Sequence, residues 1–216
     1  MSSRHRSRSE LRGSRGERKE QTRRRLLDAA LGLLSQHSFD SISLREVARE
    51  AGITPTAFYR HFDDMEELGL VLVEEAFGTL HQMIRDARAD TPFLRDVVRR
   101  SVAVVVDHVH AHRTHLRFIA RERYGGMRRL RRTIRLELEH FANELAVDLA
   151  RFPDLEGWSR DDRQMFAELL VDTVVTTAAA LLDASPDEEQ RIVRRVERQL
   201  RLIVVGVSRW RSSPES

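Results

Sequence analysis

The sequence predicts an all-α protein, built as a three-helix N-terminal headpiece followed by a larger helical body. Apolar residues recur at spacings of three and four along almost the whole chain, and no stretch alternates convincingly with period two. Among 216 residues only 6% are aromatic, five are proline and ten are glycine, which argues against a β-sandwich or barrel. With 41% hydrophobic and 33% charged residues, the chain has an ordinary globular composition.

Cysteine content and hydropathy exclude several classes of protein. The chain has no cysteine, which excludes disulfides, thiolate zinc sites and cysteine nucleophiles. The Ser/Arg-rich N-terminus lacks the apolar segment of a secretory signal, and no apolar run approaches eighteen residues. We therefore expect a cytoplasmic protein with no membrane partner.

Positive charge is concentrated at the N-terminus. Residues 1–25 carry a net charge of +7 and the remaining residues −4, although the whole chain has only +3. We expect residues 1–17 to form a disordered basic arm that binds a polyanion. The alternative is a solubilising tail. Residues 211–216 are expected to form a short C-terminal tail.

Local signals place three short helices in residues 18–63. Apolar residues within 27–34 mark the buried face of the first. Ser43–Glu46 is a capping box that begins the second, and Ala51-Gly52 ends it, because glycine permits a left-handed exit. Thr54-Pro55 supplies the N-cap and first residue of the third. This spacing predicts a helix-turn-helix, with a generic helical hairpin as the alternative.

A helix-turn-helix places its second helix in the major groove of DNA. The Thr56 hydroxyl can hydrogen-bond a base edge or phosphate, and the Ala57 methyl can contact a thymine methyl. Tyr59 and His61 have the reach for phosphate oxygens, which set the register of binding. The candidate DNA-binding residues are Arg45, Thr54, Thr56, Ala57, Tyr59, Arg60 and His61.

Longer helices follow in residues 64–210, which we expect to form a ligand-binding and dimerisation domain. Apolar stripes predict helices over about 64–88, 92–109, 130–149, 159–183 and 186–210, with Thr91-Pro92, Ser159 and Ser185-Pro186 as caps and Gly125-Gly126 and Pro153 as breaks. The last two stripes suit a four-helix interface between two copies of the chain, whose symmetry would match a palindromic operator. The alternative is that they close the core of a monomer.

Histidines raise the possibility of a metal site or an enzyme. His108, His110, His112 and His115 cluster, and the first and third stand at the i, i+4 spacing that can hold zinc or nickel. The cluster also lies near an expected helix end, where histidine interacts well with terminal carbonyls, so we expect no metal. The chain contains no nucleophile elbow, Walker A motif, dinucleotide-binding loop or zinc-protease motif, so we do not expect an enzyme.

Two segments of the headpiece resemble the TetR family of one-component repressors: LREVAREAGIT at 44–54 and FYRHF at 58–62. The chain is also similar to the FabR/DesT branch, which represses genes of unsaturated fatty acid synthesis and responds to long-chain acyl thioesters. That similarity rests on residues 45–62, 67–70, 116–118, 121–123 and 139–141. The family's commonest pattern has a phosphate-binding lysine three residues after the final Phe, where this chain has Met65.

An acyl ligand needs a long apolar pocket enclosed by helices. The candidate lining residues, each of which also fits plain core, are Phe77, Leu80, Ile84, Val102, Val105, Phe118, Phe141, Leu145, Phe166 and Val174. An arginine face suits the phosphates of a thioester head group, and the candidates are Arg121, Arg123, Arg128, Arg131, Arg132 and Arg135. The alternative is a solvated face that pairs with Glu137 and Glu139.

The resemblance implies a ligand-responsive transcriptional repressor, without catalytic residues or a cofactor, that binds a palindromic operator as a homodimer. It implies control of fatty acid or lipid metabolism genes in response to long-chain acyl-CoA or acyl carrier thioesters. The alternative is a TetR-type repressor of an efflux or catabolic operon that responds to another hydrophobic small molecule or to a metal.

Overall fold

The protein is all-α, as the periodicity predicts. A computed structural model describes the backbone of residues 3–89, 94–207 and 209–212, and no strand occurs among them. The helices are α1 Ser3–Leu34, α2 Leu44–Glu50, α3 Pro55–Phe58, α4 Met65–Ala89, α5 Leu94–Ala111, α6 Arg113–Glu122, α7 Arg128–Leu149, α8 Arg160–Leu182 and α9 Pro186–Val207. Short 3-10 turns occupy Phe39–Ser41 and Pro153–Leu155. The expected cap at Thr91-Pro92 lies outside the described residues.

Helix α1 begins at Ser3, where the sequence analysis expects a disordered arm over residues 1–17. The segment contains no proline and five arginines, which have high helix propensity. Its backbone therefore continues the first headpiece helix toward the N-terminus.

The predicted caps of the headpiece are confirmed. The Ser43 hydroxyl accepts a hydrogen bond from the Glu46 amide, and the Glu46 carboxylate accepts one from the Ser43 amide. The Thr54 hydroxyl accepts from the Ala57 amide at 3.2 Å, and Pro55 begins α3. Gly52 has φ +68°, the left-handed conformation predicted at the turn between α2 and α3.

The body has helix caps at two of the predicted positions and a helix break that the sequence did not predict. Ser159 caps α8 by accepting from the Asp162 amide, and Ser185 is bonded to the Glu188 carboxylate at the start of α9. The extra break lies at His112, which is the N-cap residue of α6 and separates it from α5. This break allows α6 to turn back toward the headpiece.

The headpiece and body share one continuous core. Phe39, Phe58 and Phe62 from the headpiece and Phe118 and Ile134 from the body belong to the same buried cluster. The rings of Phe39 and Phe118 lie 5.7 Å apart between centroids. Because apolar contacts cross the boundary between the two regions, a movement of the body helices is transmitted to the headpiece.

Helix α8 has an apolar face that the protomer leaves largely uncovered. Among the described residues it is the one helix long and apolar enough to cross a membrane, with a mean hydropathy of 1.7 over eighteen residues. Core helices of globular proteins pass the same test, and α8 packs against α5, α6, α7 and α9. Only 33% of that window is buried within the protomer, and the side chains of Met165 and Leu169 on this helix are exposed.

Gly69 brings α4 against the loop after α1. A Cβ atom at this position would lie 2.7 Å from Phe39 Cζ and 3.1 Å from Leu130 Cδ2. We expect Gly69→Ala to overpack this contact and lower the free energy of unfolding by about 1–3 kcal/mol. Gly78→Ala on the same helix is the control, since Gly78 has open space around it and should gain about 0.5–1 kcal/mol. Denaturant unfolding measures both; equal effects would contradict the close approach.

Candidate nucleic-acid interface and ligand cavity

The candidate DNA-binding side chains lie on one exposed part of the headpiece. Tyr59 is 61% exposed. Arg45, Thr54, Thr56 and Arg60 are also exposed, while Ala57 and His61 are half-buried. The two short helices that carry these side chains are held from beneath by buried Phe58 and Phe62, whose rings lie 5.6 Å apart. All seven side chains are at least partly accessible, and their contacts with DNA remain a prediction.

His61 is less suited to phosphate than the sequence suggests. Burial lowers its pKa, and the charges of Lys19 and Arg23 lower it further. Its Nδ1 atom is buried and has no hydrogen-bond partner among the described residues. A neutral ring can donate one hydrogen bond to a phosphate, but it contributes no positive charge.

Arg23 and Arg24, at the end of the basic region 1–25, stabilise the fold. Arg23 donates to the His61 carbonyl oxygen at 2.9 Å and lies over the Phe62 ring at 4.4 Å. Arg24 pairs with Asp28 at 3.1 Å and with Glu75 on α4 at 3.0 Å. These two cations tie the segment after α3, and α4 itself, to α1.

Met65 stands where the family's commonest pattern has a phosphate-binding lysine. Its half-buried side chain packs against the core cluster shared by headpiece and body. The start of α4 is instead stabilised by acidic groups, since the Glu67 amide donates to Asp64 Oδ1 at 2.7 Å and Glu67 accepts from the Asp63 amide. Negative charge in this first turn disfavours a nearby phosphate, so we expect no phosphate contact of the family's usual kind here.

An apolar cavity of about 270 Å³ lies among helices α4 to α9. Seven of the ten candidate lining residues form part of its wall: Phe77, Leu80, Ile84, Val105, Phe141, Leu145 and Val174. The other three do not line it. Phe118 packs in the cluster shared with the headpiece, and Val102 and Phe166 pack in a second cluster deeper in the body. Helical periodicity predicts that all ten side chains are buried. Which of them line a cavity depends on how closely the neighbouring helices pack.

Small residues on α8 make room for the cavity, and the sequence analysis missed them. Thr176, Ala178 and Ala179 lie in the wall opposite α4 and α5. The run of alanines and threonines at 176–180 was the available signal, because short side chains between two apolar stripes leave volume unfilled. Ser101 and Tyr124 add polar groups to the wall.

A second cavity, of about 890 Å³, adjoins the first and is lined by arginines. The two share Arg123, Tyr124, Leu138 and Val171. Five of the six candidate arginines line the second cavity, together with Arg129: Arg123, Arg128, Arg131, Arg132 and Arg135. Arg121 is elsewhere, where it donates to the carbonyl oxygens of Leu34 and His37.

The arginines of the second cavity are only partly neutralised. Arg135 lies 3.6 Å from Glu139, as the solvated-face alternative expects, whereas Glu137 contacts His81 instead. Arg131 donates to the carbonyl oxygens of Gly125 and Gly126. Arg123 lies 3.9 Å from Asp172 and Arg129 lies 3.0 Å from Glu66, and Glu168 also lines the cavity. Arg128 and Arg132 line it too and have no ion-pair partner among the described residues.

The end of α6 holds the loop after α1. Glu122 is 3% exposed and accepts a hydrogen bond from the Phe39 amide at 3.2 Å. Burial raises the pKa of this carboxyl group, and nearby Asp40 raises it further. The Gly126 amide donates to Asp40 at 3.2 Å. These contacts connect the arginine-lined end of the body directly to the headpiece.

The predicted histidine cluster is divided by the structure. His110 faces away and pairs with Glu189 on α9 at 2.8 Å. His108 and His112 rings lie 4.5 Å apart, and His115 approaches Glu75 at 3.9 Å. His108 is 2% exposed, and by distance and angle neither ring nitrogen has a hydrogen-bond partner among the described residues. Burial lowers the pKa of His108 and of His115, and the charge of His112 lowers both further.

The lowered pKa of His108 predicts acid-sensitive folding. Below its ordinary pKa of 6.5 the unfolded chain binds a proton that the folded protein resists, so stability decreases as the pH falls. We expect His108→Leu to reduce the loss of Tm between about pH 8 and pH 5, measured by thermal unfolding. His37→Leu, which removes an exposed histidine of the headpiece, is the control; an unchanged pH profile in His108→Leu would contradict the assignment.

Comparisons with known proteins identify the family. The protein-family model for bacterial regulatory proteins of the tetR family matches residues 26–71. The protein-family model for the tetracyclin repressor-like C-terminal domain matches residues 94–206. A TetR-family regulator from Streptomyces coelicolor superimposes with a TM-score of 0.70 at 20% identity, covering 88% of this chain and 97% of that one.

Two further solved structures share the fold, one of them with a bound ligand. FadR from Bacillus subtilis, in complex with stearoyl-CoA, has a TM-score of 0.67 at 16% identity, over 84% of this chain and 97% of FadR. The ketosteroid transcriptional regulator KstR2 of Mycobacterium tuberculosis has a TM-score of 0.61 at 18% identity, over 85% of this chain and 93% of KstR2. Members of the matched family are DNA-binding regulators and not enzymes. The chain belongs to the TetR family of transcriptional regulators.

Proposed function

We propose that this regulator represses transcription from a palindromic operator as a homodimer and that a long-chain acyl thioester is its ligand. The observation that carries the proposal is an apolar cavity sharing a wall with an arginine-lined cavity. The ligand is thus expected to combine an apolar chain with an anionic head group. The genes it controls would then be those of fatty acid or lipid metabolism.

The two cavities suit the two halves of such a ligand. The apolar one is near the lower end of the roughly 300–1,000 Å³ of small-molecule sites, so it fits part of a long chain. Arg128 and Arg132 are available for charge-assisted hydrogen bonds to phosphate oxygens. FadR, which shares the fold, has been crystallised with stearoyl-CoA, which supports this ligand class. Membership of the FabR/DesT branch stays a prediction.

The exposed faces of α8 and α9 support a homodimer. Met165 and Leu169 on α8 are 48% and 49% exposed, and Leu202 on α9 is 75% exposed. A pair of helices from each protomer would bury these side chains in a four-helix interface. Two headpieces related by two-fold symmetry would then bind the two halves of a palindrome. A DNA-binding regulator of this kind is expected in the cytoplasm.

Helix α4 provides the connection between ligand and DNA. It follows the headpiece directly and contributes Phe77, Leu80 and Ile84 to the apolar cavity. A ligand that favours one position of α4 changes the spacing of the two headpieces, provided that it binds the two arrangements with different affinity. A saturated and a cis-unsaturated chain would fill the cavity differently.

The ligand class is tested by operator binding, measured by fluorescence anisotropy on DNA that flanks the protein's own gene. We expect saturated and unsaturated acyl-CoA to change the operator affinity, and Arg128→Gln with Arg132→Gln to weaken the acyl-CoA response at least about tenfold, because each charge-assisted bond contributes about 1.5–3 kcal/mol. Operator binding without ligand should be unchanged.

Arg99→Gln with Arg151→Gln is the matched control, because both arginines are exposed outside the cavities. If neither acyl-CoA changes operator binding, the assignment of a lipid ligand is contradicted. The assignment of the protein as a DNA-binding regulator would still stand. A response to an uncharged hydrophobic molecule that survives loss of Arg128 and Arg132 would favour the alternative, a repressor of an efflux or catabolic operon.

The headpiece assignment predicts two different kinds of DNA-binding defect. Thr56→Ala should relax specificity by about 1–3 kcal/mol at one base pair, because the hydroxyl reads a base edge. Tyr59→Phe should weaken binding about equally on cognate and random DNA, because the hydroxyl contacts phosphate. Competition binding measures both; identical effects of the two variants on the two DNAs would contradict these roles.

A further inference from the structure

A histidine on α4 is held between two carboxylates of α7. His81 Nδ1 lies 3.4 Å from Glu144 Oε2, and its Nε2 lies 3.2 Å from Glu137 Oε2. The side chain is only 12% exposed. Its ring stacks on Phe141 with 3.7 Å between centroids and 1° between planes. The position and orientation of this imidazole are therefore determined on three sides.

A second histidine approaches the same carboxylate. His140 stands one helical turn before Glu144, and its Nε2 lies 3.4 Å from Glu144 Oε1. Glu144 thus has one oxygen beside each imidazole. The ligand atoms of His81, His140 and Glu144 all lie within 4.8 Å of one another.

We propose that His81, His140 and Glu144 bind a divalent first-row transition metal ion of the Zn²⁺ class that bridges α4 and α7. Two imidazoles and one carboxylate form a common three-residue zinc set, which leaves a fourth position for water or another ligand. Hard cations such as Mg²⁺ and Ca²⁺ prefer oxygen ligands throughout, so this donor set disfavours them. A metal ion needs only small side-chain movements to draw these atoms together.

Glu137 serves as the outer partner of the site. A histidine that binds a metal through one ring nitrogen usually donates the N–H of the other to a carboxylate, which sets the tautomer and orients the ring. Glu137 lies at His81 Nε2 in this arrangement, so Nδ1 carries the free lone pair on the side of Glu144. The stacked Phe141 ring holds the plane of the imidazole toward the same point.

Arg85 competes with the metal for Glu144. Its guanidinium lies 3.3 Å from Glu144 Oε1 and also donates to Gln82 at 3.0 Å. The Arg85 side chain is 52% exposed, so it can turn into solvent when a cation binds the carboxylate. The affinity for metal should therefore rise when this arginine is removed, an effect that a purely structural ion-pair network does not predict.

The test of this site does not depend on the proposed acyl ligand or on operator binding. It lies on α4, which follows the headpiece, and on α7, which lines both cavities. A bound ion would fix these two helices relative to each other. Direct metal binding in the absence of DNA and lipid tests the site whatever the physiological ligand is.

The test is a titration of the full-length, chelator-treated protein with Co²⁺, followed by visible absorption and by displacement with Zn²⁺. We expect one Co²⁺ per protomer with the spectrum of a tetrahedral or five-coordinate site. His140→Ala should lower the affinity at least about tenfold, and since this side chain is 60% exposed, the fold should survive, as checked by Tm. His110→Ala, which removes an exposed histidine outside the site, should bind like the wild type.

Two graded variants distinguish the proposed geometry from adventitious binding. Glu137→Gln should weaken binding about 10–100-fold, as loss of an outer carboxylate does in known sites. Arg85→Gln should strengthen it. Wild-type protein without saturable Co²⁺ binding, or equal affinity in His140→Ala and the wild type, would overturn the proposal.

Discussion

The hydrogen bond between the buried Glu122 carboxylate and the Phe39 amide joins the two halves of the molecule. It lies beside the Phe39–Phe118 contact, and Arg121 reinforces it by donating to carbonyl oxygens at the end of α1. A buried amide left without its acceptor costs about 1–3 kcal/mol, so the loop after α1 stays against α6. These contacts couple the position of the headpiece to that of α6.

Helix α4 is the element on which the proposed regulatory features meet. Its N-terminal turn supports the headpiece, and Gly69 lets it approach Phe39 closely. Farther along, Phe77 and Leu80 line the apolar cavity, while His81 on the neighbouring face contacts the carboxylates of α7. Phe141 takes part in both sites, since it lines the cavity and stacks on His81. An acyl chain and a metal ion would thus act on one rigid helix from two sides.

Arginine is the abundant cation of this chain, and the structure assigns it several roles. Arg23 and Arg121 donate to carbonyl oxygens at the junction of headpiece and body, whereas Arg128 and Arg132 face a cavity. Sequence reasoning grouped Arg121 with the cavity because it stands close to Arg123 in the chain. A guanidinium can donate to carbonyls, carboxylates and phosphates alike, so the role of each arginine depends on which of these acceptors lies within reach.

The sequence by itself determined the features that depend on near neighbours in the chain. The capping box at Ser43, the left-handed Gly52, the cap at Ser159 and the helical stripes follow from contacts within four residues. Tertiary structure decided that Phe77 faces a cavity while Phe118 packs against Phe39, because periodicity shows that a face is buried but not whether the neighbouring helix fills the space. It also brought His81 to His140 and Glu144. The i, i+4 pair on α7 was visible in the sequence, but its partner on α4 lies about sixty residues away, and only packing of the two helices places them together.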